Sequence, residues 1–295
     1  ITLIGLKNAG IVVSSPATLV ALGDFSQHSI WIAFLGLFVT AVLFVRNVNG
    51  SILIGIVVAT IFGLILGDVK LPEGNVIDTP PSIAPIFAQF EWDHILSVNM
   101  VIVVFTLLFV NLFDTVGTLI GVVSKAGLAD EDGNFPQMKK ALFSDALGTT
   151  VGSILGTSTV TAYVESASGV ASGGRTGLTS VSTALFFILA LFFAPLFLMV
   201  PAAATSPALI IVGLFMISSV AKINFSDMSE GLPAFLTIVF MPFTYSIAEG
   251  IVFGMLSFAF IKVFCGKSKD VSVTVYVIAA LFLLKLVLDA MHVIG

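Results

Sequence analysis

Two acidic residues, Asp114 and Glu165, lie in stretches that otherwise carry almost no charge. Asp114 is the one charged residue in the apolar run 98–124, which is 27 residues long. A carboxylate at the centre of a membrane span costs about 2.5–3.5 kcal/mol on insertion scales, so it must face a polar interior. Its neighbours agree: Asn111 and Thr118, three and four residues away, share its face, and Thr115 adjoins it. Gly117 and Gly121 let a second backbone come close. Glu165 is the only charged residue among the 29 between Asp145 and Arg175, of which ten are Ser or Thr and six are Gly.

That second composition is too polar and Gly-rich for an uninterrupted lipid-facing helix. It is also too poor in charge for a soluble loop. It predicts a broken element: an extended piece over 157–161, then a half-helix starting near Ala162 with Glu165 in its first turn. Bare backbone at membrane depth is tolerated only where it is buried in protein or lines a cavity. A half-helix starting there offers unpaired N–H groups and the positive end of its dipole. Discontinuous helices of this kind hold small polar solutes at the bilayer midplane in transporters.

Glu165 then serves either as a cap of its own helix or as a two-pronged acceptor for N–H groups of a solute. The hydroxyls of Thr157, Ser158, Thr159 and Thr161 either read the solute or satisfy neighbouring carbonyls. Phe113 could stack on a flat ring, although with 27 Phe in the chain packing is the default for any of them. Asp145, next to the broken element, either bonds across to it or joins a proton path together with Asp114 and Glu165. His28, His94 and His292 show no metal-ligand spacing.

The elements that position these groups are membrane spans. The chain of 295 residues is 58% hydrophobic and 10% charged, with a mean hydropathy of +1.14, which a soluble domain does not need. Lys and Arg total 12 without clustering, so nucleic acid is excluded as a partner. The single Cys265 excludes an internal disulfide. The first residue is Ile and no leader pattern follows, which reads as a chain cut from a longer one.

Spans are expected at 29–45, 50–67, 98–124, 142–155, 181–200 (kinked at Pro195), 207–221, 232–245 and 248–264. A last apolar stretch, 271–288, either spans or lies at the interface. The segment 7–27 reads as irregular with a short helix from Pro16, and 68–94 as an acidic loop with interfacial elements near Trp92. Alternating the spans puts nine of the 12 cations, among them Arg46, Lys125 and Arg175, on one side, which makes that side cytoplasmic. Ser15-Pro16-Ala17 is echoed by Ser206-Pro207-Ala208, and 51–55 by 250–254, in the same order. The echoes suggest an internal repeat of the kind found in secondary transporters.

Three other functions fit less well. An anion carrier of similar architecture would lack a carboxylate at the half-helix. An intramembrane aspartyl protease would need a Gly-x-Gly-Asp partner for Asp114, and none exists. A scaffold without transport leaves two buried acids and ten hydroxyls unexplained.

The run 111–121, Asn-Leu-Phe-Asp-Thr-Val-Gly-Thr-Leu-Ile-Gly, and the run 156–169 resemble the nucleobase–cation symporter 2 family, in its AzgA-like purine permease branch. Ser144-Asp145-Ala146-Leu147-Gly148 and Asn8-Ala9-Gly10-Ile11-Val12 resemble the same branch. The resemblance implies an all-α polytopic fold of two inverted seven-span repeats, a core and a gate, with a short strand and a half-helix in the broken span. It implies gate for 1–97 (the end of span 5, spans 6–7 and an outer loop), core for 98–203 (spans 8–11), gate for 204–266 (spans 12–14), and an apolar tail for 267–295. Spans 1–4 would precede this chain.

By the same likeness Asp114 and Glu165 hold a purine base (hypoxanthine, guanine or adenine), with Phe113, Ser158, Thr159 and Thr161 around it. The implied activity is import by proton symport, with H⁺ preferred to Na⁺, no cofactor and no enzymatic step. The protein would sit as a multi-pass chain in the plasma (inner) membrane, compatible with a homodimer.

Overall fold

The computed structural model describes residues 1–290 except 73, 92, 94–96, 131–134 and 164. Its elements in chain order are α1 (Thr2–Asn8), β1 (Val12–Ser15), β2 (Leu19–Leu22), α2 (His28–Val45), α3 (Ser51–Leu66), α4 (Val98–Ala126), α5 (Met138–Ile154), α6 (Ser166–Ala171), α7 (Gly177–Phe192), α8 (Ala194–Leu198), α9 (Ala202–Met216), α10 (Met228–Thr244), α11 (Ile247–Phe264) and α12 (Val273–Ala290). Each expected span has a helix on it. Among the described residues three are both long and apolar enough to cross a membrane: His28–Val45, Leu107–Ala126 and Ile247–Phe264.

The helices gather into two compact units. One is made of Ile1–Pro85, Gly121–Pro136 and Tyr163–Ser218; the other of Ile86–Ile120, Gln137–Ala162 and Ser219–Gly295. In the first, α2, α3 and α9 pack on small residues around Ile32, Ala59, Ala203 and Ala204, all nearly without exposure. A Cβ on Gly36 would lie 3.0 Å from Ala59 Cβ and 3.1 Å from Pro207 Cγ, and one on Gly55 would overlap Thr40 Oγ1. Such residues let helix backbones approach where lipid gives no hydrophobic drive between them. In the second unit α10 and α11 form a tight antiparallel pair and α12 packs on α11.

Both helices of that pair start on side-chain caps. Asp227 accepts from the Ser229 N–H at 2.9 Å and Ser246 from the Glu249 N–H at 3.2 Å, with an acid three residues after each cap, at Glu230 and Glu249.

Four expectations change. Pro16 does not start a helix. It opens the turn of an antiparallel hairpin in which Ser15 pairs with Leu19 and Val12 with Leu22. Its missing N–H is harmless in a turn, the flanking Val-Val and Leu-Val residues favour strands, and the Thr18 hydroxyl closes the loop on Val20 O at 2.9 Å. The hairpin also weakens the first sequence echo, because Pro207 stands inside α9.

Residues 157–161 form neither helix nor strand: the hairpin is the only sheet among the described residues. A strand needs a neighbouring strand to ladder with, and this segment bonds to α5 instead. The half-helix begins at Ser166, four residues later than expected. The kink expected at Pro195 is a full break at Phe193, between α7 and α8. The interfacial element near Trp92 lies outside the described residues.

Candidate functional site

The expected polar groups are organised by Asp145. Its carboxylate joins three elements of one unit. Oδ2 accepts from the Thr115 hydroxyl of α4 at 3.0 Å. Oδ1 accepts from the Ala162 N–H of the irregular segment at 3.1 Å. Asp145 itself stands on α5. A second tie runs from the Thr149 hydroxyl of α5 to Val160 O at 2.9 Å. Charge-assisted bonds of this kind are the strong ones. They hold Ala162, the expected start of the half-helix, against α5, while the helix itself begins at Ser166.

The approach to this segment is fixed by Gly156, at φ +79°, where a Cβ would lie 2.7 Å from Ile86 O. Ala88 N–H donates to Ile154 O at 2.8 Å and so satisfies a carbonyl at the end of α5. The irregular segment thus hangs from α5 by both ends and its middle.

Thr115 and Thr118 of α4 are 1% and 5% exposed, and Asp114 is half-buried. Among the described residues Asp114 makes no hydrogen bond, and the buried Asn111 Oδ1 has no donor. Ser158 and Thr159 are exposed and Thr161 is half-buried, and none of their hydroxyls is bonded within the described residues. Phe113 packs in a ring cluster, 6.0 Å from Phe109 and 5.8 Å from Phe282 of α12. The site region of this unit therefore combines a pinned, irregular backbone with unspent hydroxyls, one free carboxylate and one unsatisfied amide oxygen.

Glu165 belongs to the other unit. It stands at the N-cap of α6, is exposed, and makes no capping bond with its side chain. Of the two roles open to it in the sequence, capping is the one the geometry does not use. Among the histidines, His28 begins α2 and its Nδ1 pairs with Asp68 at 3.0 Å, while His94 and His292 lie outside the described residues.

Sequence reasoning missed the Thr115–Asp145–Ala162 junction as a unit, and it missed the orphaned Asn111 oxygen. A signal for the latter was available: Asn111 is one turn before Asp114 on the same helix.

A family profile described as "Permease family" (Xan_ur_permease) matches residues 1–253. The chain is similar to the adenine permease AdeP of Escherichia coli, at 46% identity over 292 residues, covering 99% of this chain and 65% of that protein. It is similar to adenine permease AdeQ of the same organism at 46% over 288 residues, 98% and 64% of the two chains. It is also similar to the guanine/hypoxanthine permease PbuG of Bacillus subtilis, at 42% over 287 residues, 96% and 64%. In each case the chain spans just under two thirds of the relative's length. These relatives are permeases by name, not enzymes, and together with the apolar helices they are consistent with a multi-pass protein of the plasma membrane. The resemblance carried by the Phe-Asp-Thr-Val-Gly and Thr-Ser-Thr-Val-Thr-Ala-Tyr-Val-Glu-Ser motifs extends over nearly the whole sequence, and the chain belongs to the xanthine/uracil permease family.

Proposed function

We propose that the full-length protein imports purine bases by proton symport, through alternating access of a core against a gate built as two inverted seven-span repeats. The observation that carries this reading is the irregular backbone 157–162, tied to α5 by Asp145, with the hydroxyls of Ser158, Thr159 and Thr161 unspent among the described residues. A purine presents a flat ring edged with N–H donors and ring-nitrogen acceptors. Carboxylates accept pairs of such donors in one plane, and free hydroxyls and backbone groups read the remaining edge.

In this reading Asp114 and Glu165 bind the base, with Ser158, Thr159 and Thr161 beside it. Phe113, held by Phe109 and Phe282, supplies a ring face. Asp145 positions the segment. The relatives named for adenine and for guanine/hypoxanthine support the substrate class. Core is assigned to 98–203, gate to 1–97 and 204–266, and 267–295 is a tail helix. A proton on one of the acids would let the loaded core move, with H⁺ preferred to Na⁺ because the acids lie within apolar spans. A homodimer is part of the proposal.

Uptake of labelled adenine and hypoxanthine by the full-length protein tests it. Wild type imports base, and a protonophore abolishes accumulation while replacing Na⁺ has no effect. Asp114→Asn and Glu165→Gln each lose uptake. Asp145→Ala loses it too, by a hundredfold or more if both bonds contribute about 1.5 kcal/mol each to holding the segment. Asp145→Asn, which can still accept from Ala162, loses less. Normal uptake in both Asp114→Asn and Glu165→Gln would falsify the site.

A further inference from the structure

Within the first unit a cavity of about 460 Å³ opens between the α2–α3 turn and α6. That volume lies in the range of small-molecule sites. One wall is the first turn of α3 with Asn47, Asn49 and Ser51; the other is the last turn of α6 with Ser168 and Ser172. Phe44 and Phe215, ring centroids 5.1 Å apart, form an apolar floor.

The lining has no charged residue. The neighbouring cations Arg46, Arg175 and Lys125 are not among the lining residues; Arg175 donates to Val170 O at 2.5 Å and Gly174 O at 2.8 Å, and Lys125 Nζ stands 5.4 Å from the Phe215 ring centre. A phosphate or other anion would therefore find no counter-charge inside. Neutral polar groups are plentiful. Ser51 is 6% exposed, lines the cavity, and its hydroxyl has no partner among the described residues. The amides of Asn47 and Asn49 are likewise unbonded there, and each carries both donors and an acceptor. The backbone at the two walls is partly satisfied, with Ser51 N–H on Val48 O at 3.3 Å and Ser172 N–H on Ser168 O at 3.0 Å, so the neutral side chains supply the open donors and acceptors.

We propose that this cavity is a second station for the transported base, on the cytoplasmic face, through which it leaves the protein. The inference rests on the purine-import reading. A flat, uncharged ring with mixed donor and acceptor edges matches aromatic walls and neutral polar rims. The face is cytoplasmic because Arg46 adjoins the α2–α3 turn and Arg175 follows α6.

The test uses the full-length protein with Cys265, exposed at the end of α11, kept as the reference thiol, any cysteine outside these 295 residues replaced by Ser, and a second thiol added by Asn49→Cys or Ser172→Cys. Inside-out vesicles are treated with a membrane-impermeant maleimide, with and without adenine or hypoxanthine. The added thiol labels, and base at about ten times its Kd slows that labelling about tenfold, while Cys265 labels at an unchanged rate. The protection persists in an Asp114→Asn background.

No labelling at either position would mean that other parts of the full-length chain fill the cavity, and would overturn the proposal. Labelling without protection, equal protection of Cys265, or protection that vanishes with Asp114→Asn would each overturn it too. Wild-type vesicles that take up no base would instead sink the purine-import reading, so the two failures are distinct.

Discussion

The α2–α3–α9 packing and the α10–α11 pair meet the same requirement by different means. Both must hold helices together in a solvent as apolar as their own side chains. The first does so mainly with shape: Gly36 against Ala59 and Pro207, Gly55 against Thr40, with threonine hydroxyls turned back onto their own helices and one exposed polar tie, His28 to Asp68, at the helix ends. The second adds charge. Lys262, 4% exposed, reaches Glu230 Oε1 at 3.3 Å and lies 5.3 Å from the Phe258 ring centre; Lys267 meets Asp227 at 2.7 Å. At the other end of the pair Lys285 of α12 meets Glu249 at 2.9 Å. The ion pairs flank a contact that is itself close, since a Cβ on Gly254 would overlap Thr237 Oγ1. Shape sets the distance between helices in both regions. Lysine–carboxylate pairs, at both ends of the second, add to it a preference for which ends meet.

Enlarging a contact glycine should break the first region most severely. Gly55→Leu forces the side chain into Thr40 and should cost about 3 kcal/mol or more, at the top of the overpacking range. Thermal denaturation of the purified full-length protein would show it as a large fall in Tm or as loss of folded material. A Gly55→Leu protein as stable as wild type would mean that α2 and α3 are not held by close approach.

Removing one partner of the buried pair should cost less. Glu230→Gln leaves the Lys262 ammonium buried without its acid. Full burial would make that about 3–5 kcal/mol, and the half-exposed Glu230 brings it to about 2 kcal/mol. Lys262→Met should be neutral or slightly stabilising, because an apolar chain of similar size needs no partner there. The two variants moving in the same direction would show that the lysine is not desolvated.

The smallest effect separates charge from capping at α10. The Lys267 ammonium, then the Ser229 hydroxyl and N–H, hold the Asp227 carboxyl below its ordinary value. A depressed folded-state value gives stability that is present above the unfolded value and lost as pH falls through the folded one. Asp227→Asn keeps a good cap and removes the charge. Its Tm should sit slightly below wild type at neutral pH, and the two curves should converge in acid. A constant gap across pH would assign the stability to the cap alone.

The comparison also explains what the sequence could disclose. Long apolar runs located the spans because lipid imposes length and composition locally, as in 29–45 and 248–264. The broken element was legible for the same reason: Ser, Thr and Gly in place of apolar residues over 156–175 cannot face lipid. What stayed hidden depends on partners distant in the chain. Asp145 could be placed near the break, but its choice of the Ala162 N–H, 17 residues away, leaves no periodic trace. The start of the half-helix at Ser166 rather than near Ala162 left no such trace either. The hairpin at Pro16 was hidden differently, because Val12-Val13 and Leu19-Val20 are too short to separate strand from helix by period.

Phe282 of α12 is 4% exposed and seats against Phe109 and Phe113, the residue just before Asp114. Ring-on-ring contact loses little when it slides by an ångström, whereas a hydrogen bond weakens steeply as its angle opens. The last helix therefore gives the stretch of α4 just before Asp114 a non-directional seat, beside the directional hold that Asp145 takes on Thr115 just after it.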